Sequence, residues 1–437
     1  MQIKDLEDKI IAIWGLGREG NAVLDYLKKH NLGKEIKIFA NDDEVNLDGV
    51  EVVIKSPGVS MYKPEIIKAK ENGIKFTSSS DLFLSEMRAN KPSCKVIGIS
   101  GSKGKSTSVS ALHHMLSALG YKVGLGGNIG RPIIELLDGD YDYVVGEFSS
   151  YQAADLTSSP QIVMYTNLFY VHTDWHNHSH KQYCLDKMNL SANQQVGDVF
   201  FANRKNPQLC EFVSGKNLQW YNVENVFHAN GRDLFYGGEK LFSIADLKLS
   251  GDHNLDNLAG VFSILQYLGM DIKKAVEALK SFEPLEHRLQ NFAEKNGIKF
   301  INDSISTAPE AAIGAMKSFD ENIVIISGGQ YLEQNYADYA EYVANNPKIK
   351  MVAAMYQSGP EIAKAIKDTV SREDFVLLES DNMDEVVAKS YQLLKEKGLG
   401  GYVLFSPTAP SFGVYKNFME RGQHFMTTVK NLLEKEV

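Results

Sequence analysis

The sequence is poor in the features that mark most specialised classes of chain. Its 437 residues hold 3 cysteines, Cys94, Cys184 and Cys210. So sparse and odd a set excludes a disulfide-built scaffold, fits a reducing compartment, and lacks the paired spacing of a thiolate zinc site. No apolar run approaches the roughly 20 residues needed to cross a bilayer. The start, MQIKDLEDKI, has no apolar core of the kind a signal peptide carries. Positive charge is in deficit too: 46 Lys and Arg stand against 55 Asp and Glu, a net charge of −9. Duplex nucleic acid is therefore a poor partner, because its phosphates call for a basic surface. A small anion needs only a local positive site. Internal repeats and low-complexity tracts are also missing. These absences point to a cytoplasmic globular protein with neither a membrane nor a nucleic acid as partner, and leave a small anionic ligand open.

What remains is ordinary in bulk, with 43% hydrophobic and 23% charged residues. The chain is too long for one core and predicts two or three domains. Short apolar runs alternate with helical patterns. KIIAIWG, KIKIFAND and VEVVIKSPG read as strands, with NAVLDYLKKH as a helix between the first two. CKVIGIS, YDYVVGEFSS, IVMYTNL and GDVFFAN form a second series, and IKFINDS, NIVIISGG, IKMVAAMY, EDFVLLES and GYVLFSP a third. This alternation predicts an α/β fold of parallel sheets covered by helices. The polar stretch 87–93 and the segment 282–284 divide it into domains 1–92, 93–283 and 284–437.

GISGSKGKSTS (98–108) follows a strand-like run and opens an amphipathic stretch. Glycines let backbone amides face an anion, and a helix N-terminus adds free N–H groups and a positive dipole end. Lys105 is placed to reach phosphates as an exposed loop cation, and Ser106 to bind Mg²⁺. The strict P-loop pattern fails by one position, since Ile99 stands where it requires glycine. A glycine-rich turn that happens to hold lysines is the plain alternative. The order of strand, loop, Lys-Ser and helix favours phosphate.

This loop is similar to the ATP loop of the Mur ligase family. Further matches run in order along almost the whole chain: GGNIG (126–130), EFSSYQ (147–152), His172 and Asp174, Asp186-Lys187 before MNL, HNLDN (253–257), EHR (286–288), NDS (302–304), SGG (327–329), SPTAPSF (406–412) and KNF (416–418). The likeness is greatest to the MurD-type branch, which adds glutamate to UDP-N-acetylmuramoyl-L-alanine. It implies a Rossmann-like N-terminal domain for the UDP substrate, a central P-loop-like ATPase domain and a Rossmann-like C-terminal domain for the amino acid. It further implies ATP, two Mg²⁺ ions, an acyl-phosphate intermediate and a monomer. Gly101, Gly104, Lys105, Ser106 and Thr107 would hold the phosphates. Asn254 and Asn257 would hold the adenine, while Arg288 and Asp303 contact the nucleotide from the third domain. Ser106, Glu147, His172 and Lys187 would form the metal site, with Lys187 as a carbamate. Lys105, Lys187, His172 and Arg288 are the expected catalytic groups. Gly15, Gly17, Gly20, Ser56 and Gly58 would hold the UDP diphosphate, with Asn41 and Asp42 as candidates for the ribose. Asn128 and Ser149 would face the muramoyl portion, and Thr307, Ser411 and Phe418 the amino acid.

Each position also has an ordinary reading. Glu147 can be a solvated strand end, Lys187 an exposed helix lysine and Arg288 a solvated linker residue. The histidines from His172 to His180 can be a solvated loop or, on spacing alone, a zinc site. Gly15–Gly20 alone would suit a nicotinamide oxidoreductase. A folylpolyglutamate-type ligase and a non-catalytic ATP-binding scaffold are further alternatives. Two departures bear on the amino acid. Ile305 and Leu332 stand where the MurD-type branch usually has lysines, and neither can pair a carboxylate. D-glutamate is the choice by frequency. L-glutamate stays open, since NDSISTAPE and the DWH run at 174–176 resemble a subgroup that adds it. Lys416 or Arg421 taking over the lysines' role is the plain explanation for D-glutamate.

Overall fold

The structure is a computed structural model. It describes every residue except 41, 43, 44, 170–174, 250, 284, 285, 333, 436 and 437. The chain divides into two compact units, the first formed by Met1–Lys248 with Asp252–Phe282 and the second by Leu249–Gly251 with Glu283–Val437.

The first unit opens with β1 (Ile10–Trp14), α1 (Arg18–Lys29), β2 (Glu35–Phe39), β3 (Val52–Lys55), α2 (Pro64–Glu71), β4 (Lys75–Thr77) and α3 (Ser79–Asn90). Its strands pair in parallel in the order β2-β1-β3-β4. It continues with β5 (Lys95–Ser100), α4 (Lys105–Ala118), β6 (Val123–Gly127), β7 (Tyr143–Glu147), α5 (Ser150–Ala153), β8 (Ile162–Tyr165), α6 (His180–Ala192), β9 (Val199–Asn203), α7 (Pro207–Phe212) and β10 (Leu218–Tyr221). These strands make a parallel sheet in the order β10-β9-β8-β5-β7-β6. The runs are almost wholly apolar because helices cover both faces, which is what a parallel sheet requires. After β5 the order reverses, so the crevice beyond the ends of β5, β7 and β8 is where a ligand site is expected.

The polar stretch 87–93 begins inside α3, not in a linker, and Met87 is buried. Leu82, Phe83 and Leu84 of α3 share one apolar core with Ile133, Ile134 and Leu136 beside the second sheet. Three short antiparallel strands follow, β11 (Phe227–Asn230), β12 (Asp233–Tyr236) and β13 (Glu239–Ser243), and were not expected from the sequence. Helices α8 (Asp252–Tyr267) and α9 (Ile272–Lys280) close the unit.

The second unit contains β14 (Gln290–Lys295), β15 (Ile298–Asn302), α10 (Pro309–Met316), β16 (Ile323–Gly328), α11 (Ala337–Asn345), β17 (Ile349–Met355), α12 (Gly359–Thr369), β18 (Val376–Glu379), α13 (Met383–Glu396), β19 (Gly401–Phe405) and α14 (Phe418–Lys435). The sheet order is β14-β15-β19-β16-β17-β18, parallel except for the hairpin of β14 with β15. Its two faces are packed by separate apolar clusters.

Candidate active site

The loop from β5 to α4 is shaped by two glycines in the left-handed half of backbone space. Gly101 has φ +145° and Gly104 φ +81°. A Cβ on Gly101 would lie 1.9 Å from Thr166 Oγ1, and one on Gly104 would lie 2.1 Å from Asn257 Nδ2. Both positions therefore exclude side chains on steric as well as conformational grounds. Thr166 and Asn167, just after β8, hold the loop from outside. Thr166 Oγ1 donates to Lys103 O at 2.7 Å. Ser102 N donates to Asn167 O, and Lys103 N to Asn167 Oδ1, each at 2.8 Å. These two residues were not anticipated; the polar TN pair closing an apolar strand run was the available signal. Lys105 is the first residue of α4 and donates to Ser102 O at 3.1 Å. It is half-buried, which corrects the expectation of an exposed loop cation. Ser106 and Thr107 are buried in the first turn of the helix.

Glu147 closes β7 directly beside β5, in register with Ile99. It is not solvated: 1% of the residue is exposed. One carboxylate oxygen accepts from Asn128 Nδ2 at 2.8 Å. The other, Oε2, is buried with no hydrogen-bond partner among the described residues. A buried carboxylate oxygen left without a donor is costly unless a cation meets it. Lys187 comes to the same place from α6 and is 2% exposed, so it is not an ordinary surface lysine. Its amine donates to Gly101 O at 3.1 Å and lies 5.0 Å from the centre of the Tyr183 ring. Burial, and then the nearby charge of Lys105, push this amine well below the usual lysine range. An unprotonated amine is the nucleophilic form. Orphaned Glu147 Oε2, the Ser106 hydroxyl and a Lys187 converted to an oxygen donor suit a hard cation such as Mg²⁺, which takes few protein ligands. His172 and Asp174 lie outside the described residues. His176 is buried and hydrogen-bonded, while His178 and His180 are exposed. Among the described residues no group of three or more His, Cys, Asp or Glu is placed to hold a metal.

Asn254 and Asn257 are buried on α8, with Asn257 against Gly104. At the other sheet of this unit, Gly15 has φ +93°, and a Cβ on Gly20 would fall 1.9 Å from Gly15 O. Gly17 caps α1. Ser56 Oγ donates to Gly15 O at 2.5 Å, which ties the loop after β3 to the loop after β1; Gly58 follows two residues on and is exposed. Arg18 reaches Gly127 O. Asp42 is taken up by Trp14 Nε1 at 2.9 Å and Lys63 at 2.7 Å; Asn41 lies outside the described residues. Ser149 caps α5 in a reciprocal box with Gln152.

In the second unit, Asp303 follows β15 and is buried, which pushes its carboxyl up to about 7; Ser406 Oγ donates to it at 2.9 Å. Arg288 sits between His287 and Leu289, which both have positive φ, and Leu289 N donates to Asp303 Oδ1 at 3.2 Å. Pro284, in the segment 282–284 expected to divide the domains, lies outside the described residues. Thr307 is exposed, Ser411 buried and Phe418 half-buried at the start of α14. Leu332 is 42% exposed, and Lys416 is exposed. Arg421 is fully buried, and its guanidinium donates to Ser304 Oγ, Ser304 O and Ala409 O at 3.1, 2.7 and 2.8 Å. It staples these loops and does not present a free cation where a lysine would stand.

A family model described as the Mur ligase middle domain matches residues 99–265. A protein of Xanthomonas axonopodis pv. citri (strain 306), named UDP-N-acetylmuramoyl-L-alanine--L-glutamate ligase, is 32% identical over 97% of this chain and 96% of its own length. One from Acetivibrio thermocellus, named UDP-N-acetylmuramoylalanine--D-glutamate ligase, is 29% identical over 98% of each. Among solved structures, a UDP-N-acetylmuramate-alanine ligase from Thermotoga maritima superposes with a TM-score of 0.61 at 18% identity, covering 97% of this chain and 99% of its own. A MurF ligase of the same organism, in complex with ADP, gives 0.61 at 16% identity, covering 99% and 97%.

Proposed function

Because this chain belongs to the Mur ligase family, we propose that it joins glutamate to UDP-N-acetylmuramoyl-L-alanine with ATP, as an acid–amino-acid ligase of peptidoglycan precursor synthesis. The observation that carries the reading is the meeting of Lys187, Glu147 and the Gly101–Gly104 loop at the crevice of the central sheet.

In this reading residues 1–92 take the UDP substrate, 93–283 the nucleotide and 284–437 the amino acid. The substrate carboxylate attacks the γ-phosphorus and ADP leaves. The glutamate amine then attacks the acyl phosphate, phosphate leaves, and an amide forms with loss of a proton. Both steps crowd anions together, so preorganised cations and amides at the phosphates supply most of the acceleration. Lys105 and the first-turn amides of α4 hold the phosphates. Ser106, Glu147, His172 and Lys187 would hold Mg²⁺, which when bound offsets phosphate charge. Lys187 attacks CO₂ through its neutral amine and loses a proton, becoming a carbamate. Asn128, braced on Glu147, and Ser149 face the muramoyl portion. Gly15, Gly17, Gly20, Ser56 and Gly58 cradle the diphosphate. Asn254 and Asn257 take the adenine, and Arg288 and Asp303 the nucleotide. Thr307, Ser411 and Phe418 line the amino-acid site. The protein acts as a cytoplasmic monomer; no described helix is long and apolar enough to cross a membrane.

On the enantiomer, Ile305 and the exposed Leu332 offer no cation where lysines are usual, and buried Arg421 does not replace them. Together with the L-glutamate name of the 32% identical relative, this favours L-glutamate over D-glutamate. Ligation with each enantiomer at equal concentration is the test. Product from L-glutamate is expected, and product from D-glutamate alone overturns the choice. No product from either, with ATP and the UDP acceptor present, overturns the ligase reading.

A further inference from the structure

A buried chain of hydrogen bonds runs from the loop after β3 to the helix that carries Lys187, through residues with no part in the steps above. Tyr62 donates its hydroxyl to Asp186 Oδ1 at 2.6 Å, and Gln182 Nε2 donates to the same oxygen at 2.8 Å. His176 Nδ1 lies 2.6 Å from Asp186 Oδ2, and its Nε2 lies 3.0 Å from Ser150 Oγ. A carboxylate can only accept, so Nδ1 carries a proton, and in the neutral ring Nε2 accepts from the serine hydroxyl. His176 is 0% exposed, and Ser150 and Asp186 are 4% exposed.

The order Ser–His–Asp is that of a hydrolase triad, and burial rules that use out. No ester carbonyl can approach Ser150 Oγ while α5 is folded. What the chain does is mechanical. Ser150 begins α5, three residues past Glu147; Asp186 adjoins Lys187 on α6; Tyr62 lies just beyond Ser56 and Gly58. Trp175 runs a second tie alongside. Its Nε1 donates to Gly58 O at 3.2 Å, its carbonyl accepts from Ser60 Oγ at 2.8 Å, and its ring stacks on Tyr151 at 4.7 Å. A saturated, buried carboxylate one residue from Lys187 fixes the rotation and height of α6, and so the place of the amine. Outer groups of this kind commonly govern how well an inner ligand works.

We propose that Tyr62, Asp186, His176 and Ser150 are positioning residues that tie the UDP-side loop to α6 and hold the Lys187 amine at the phosphate loop; this rests on the carbamate role given to Lys187 above. The test uses full-length protein equilibrated with ¹³C-bicarbonate. It reads the carbamate carbon by NMR, alongside kcat, KM and thermal unfolding. His176→Ala should lose most of the carbamate signal and lower kcat about 10–100-fold, with KM for ATP nearly unchanged. His176→Gln, which keeps a donor for Asp186, should recover part of both. Tyr62→Phe removes one hydroxyl at a half-buried site, should fold normally, and should shift both readouts in the same direction by a smaller factor. Folded Tyr62→Phe and His176→Gln proteins with wild-type carbamate and kcat overturn the proposal, whatever His176→Ala does. A wild-type protein that ligates but shows no carbamate overturns the role of Lys187 as well. Wild-type carbamate with unaffected variants overturns the network alone.

Discussion

At the scale of single residues, burial decides which ionisable groups are worth attention. Lys187 and Asp303 are both enclosed, and each is pushed toward its neutral form by desolvation above all. For Lys187 this shift favours the neutral, nucleophilic form of an amine placed at the phosphate loop. Lys187→Ala should lower ligation by at least about 10²-fold, the usual loss for one preorganised group, and acetate or formate should restore part of it by supplying the missing carboxylate. Full activity in the variant would remove Lys187 from the mechanism. Asp303 makes a prediction about stability. Its carboxyl is raised from 3.8 to about 7, so between these values the folded state holds a proton that the unfolded state has released. Stability from this group is complete below about 4 and is lost as pH rises toward 7. Asp303→Asn cannot release a proton, so it should gain on the wild type across that window, by up to a few kcal/mol. Urea unfolding of both proteins at the two ends of the window measures it. A constant difference between them would mean that Asp303 is charged in the fold.

At the scale of elements, the phosphate loop shows how much of a site a sequence can announce. Strand, glycines, Lys-Ser and helix were legible because each is a local demand of an anion on the backbone. Its outer clamp, Thr166 and Asn167, was not, since a pair 66 positions away from the strand end it grips has no local signature. The same division holds elsewhere. The long parallel strands were read from their apolar runs, but β12 and β13 were missed although they flank Gly237-Gly238. Those glycines have φ +56° and +86°, the mark of a tight hairpin turn, and the sequence offered that cue. The Tyr62–Asp186–His176–Ser150 chain could not be read at all. It joins two helices and two loops, and its histidine sat in a run whose plain reading was a solvated loop. The glycine that shapes the phosphate loop gives the sharpest test at this scale. Gly104→Ala needs φ +81° on an L-residue and a Cβ 2.1 Å from Asn257 Nδ2. Strain of this kind costs about 1–3 kcal/mol. Calorimetric titration with ADP should show affinity reduced more than about tenfold, which is 1.4 kcal/mol or more. Unchanged affinity would show that the loop does not hold the nucleotide in this shape.

At the scale of the whole molecule, the sequence suggested a cut near residue 92 and another near 283, and the two positions are physically unlike. Unit 2 has its own sheet and its own apolar clusters on both faces, so its core is complete without the rest of the chain. Residues 1–92 have a sheet of their own and a small apolar cluster on one of its faces, with Ala12, Trp14, Phe39, Val53 and Ile66, but the larger core on the other face is shared with the central part. Leu82, Phe83, Leu84 and Met87 of α3 belong to the cluster that includes Ile133, Ile134, Leu136 and Leu137. Cutting at 92 would expose these α3 side chains, at about 1.5–3 kcal/mol for each large one. Together that is comparable with the entire stability of a typical domain, about 5–15 kcal/mol. Two fragments should therefore behave differently. Residues 283–437 expressed alone should unfold in one cooperative transition with native near-ultraviolet dichroism. Residues 1–92 alone should show no cooperative transition and should bind a dye that reports exposed apolar surface. A stable, cooperative 1–92 fragment would mean that the core shared across the two sheets is dispensable, and that the N-terminal part is an independent domain after all.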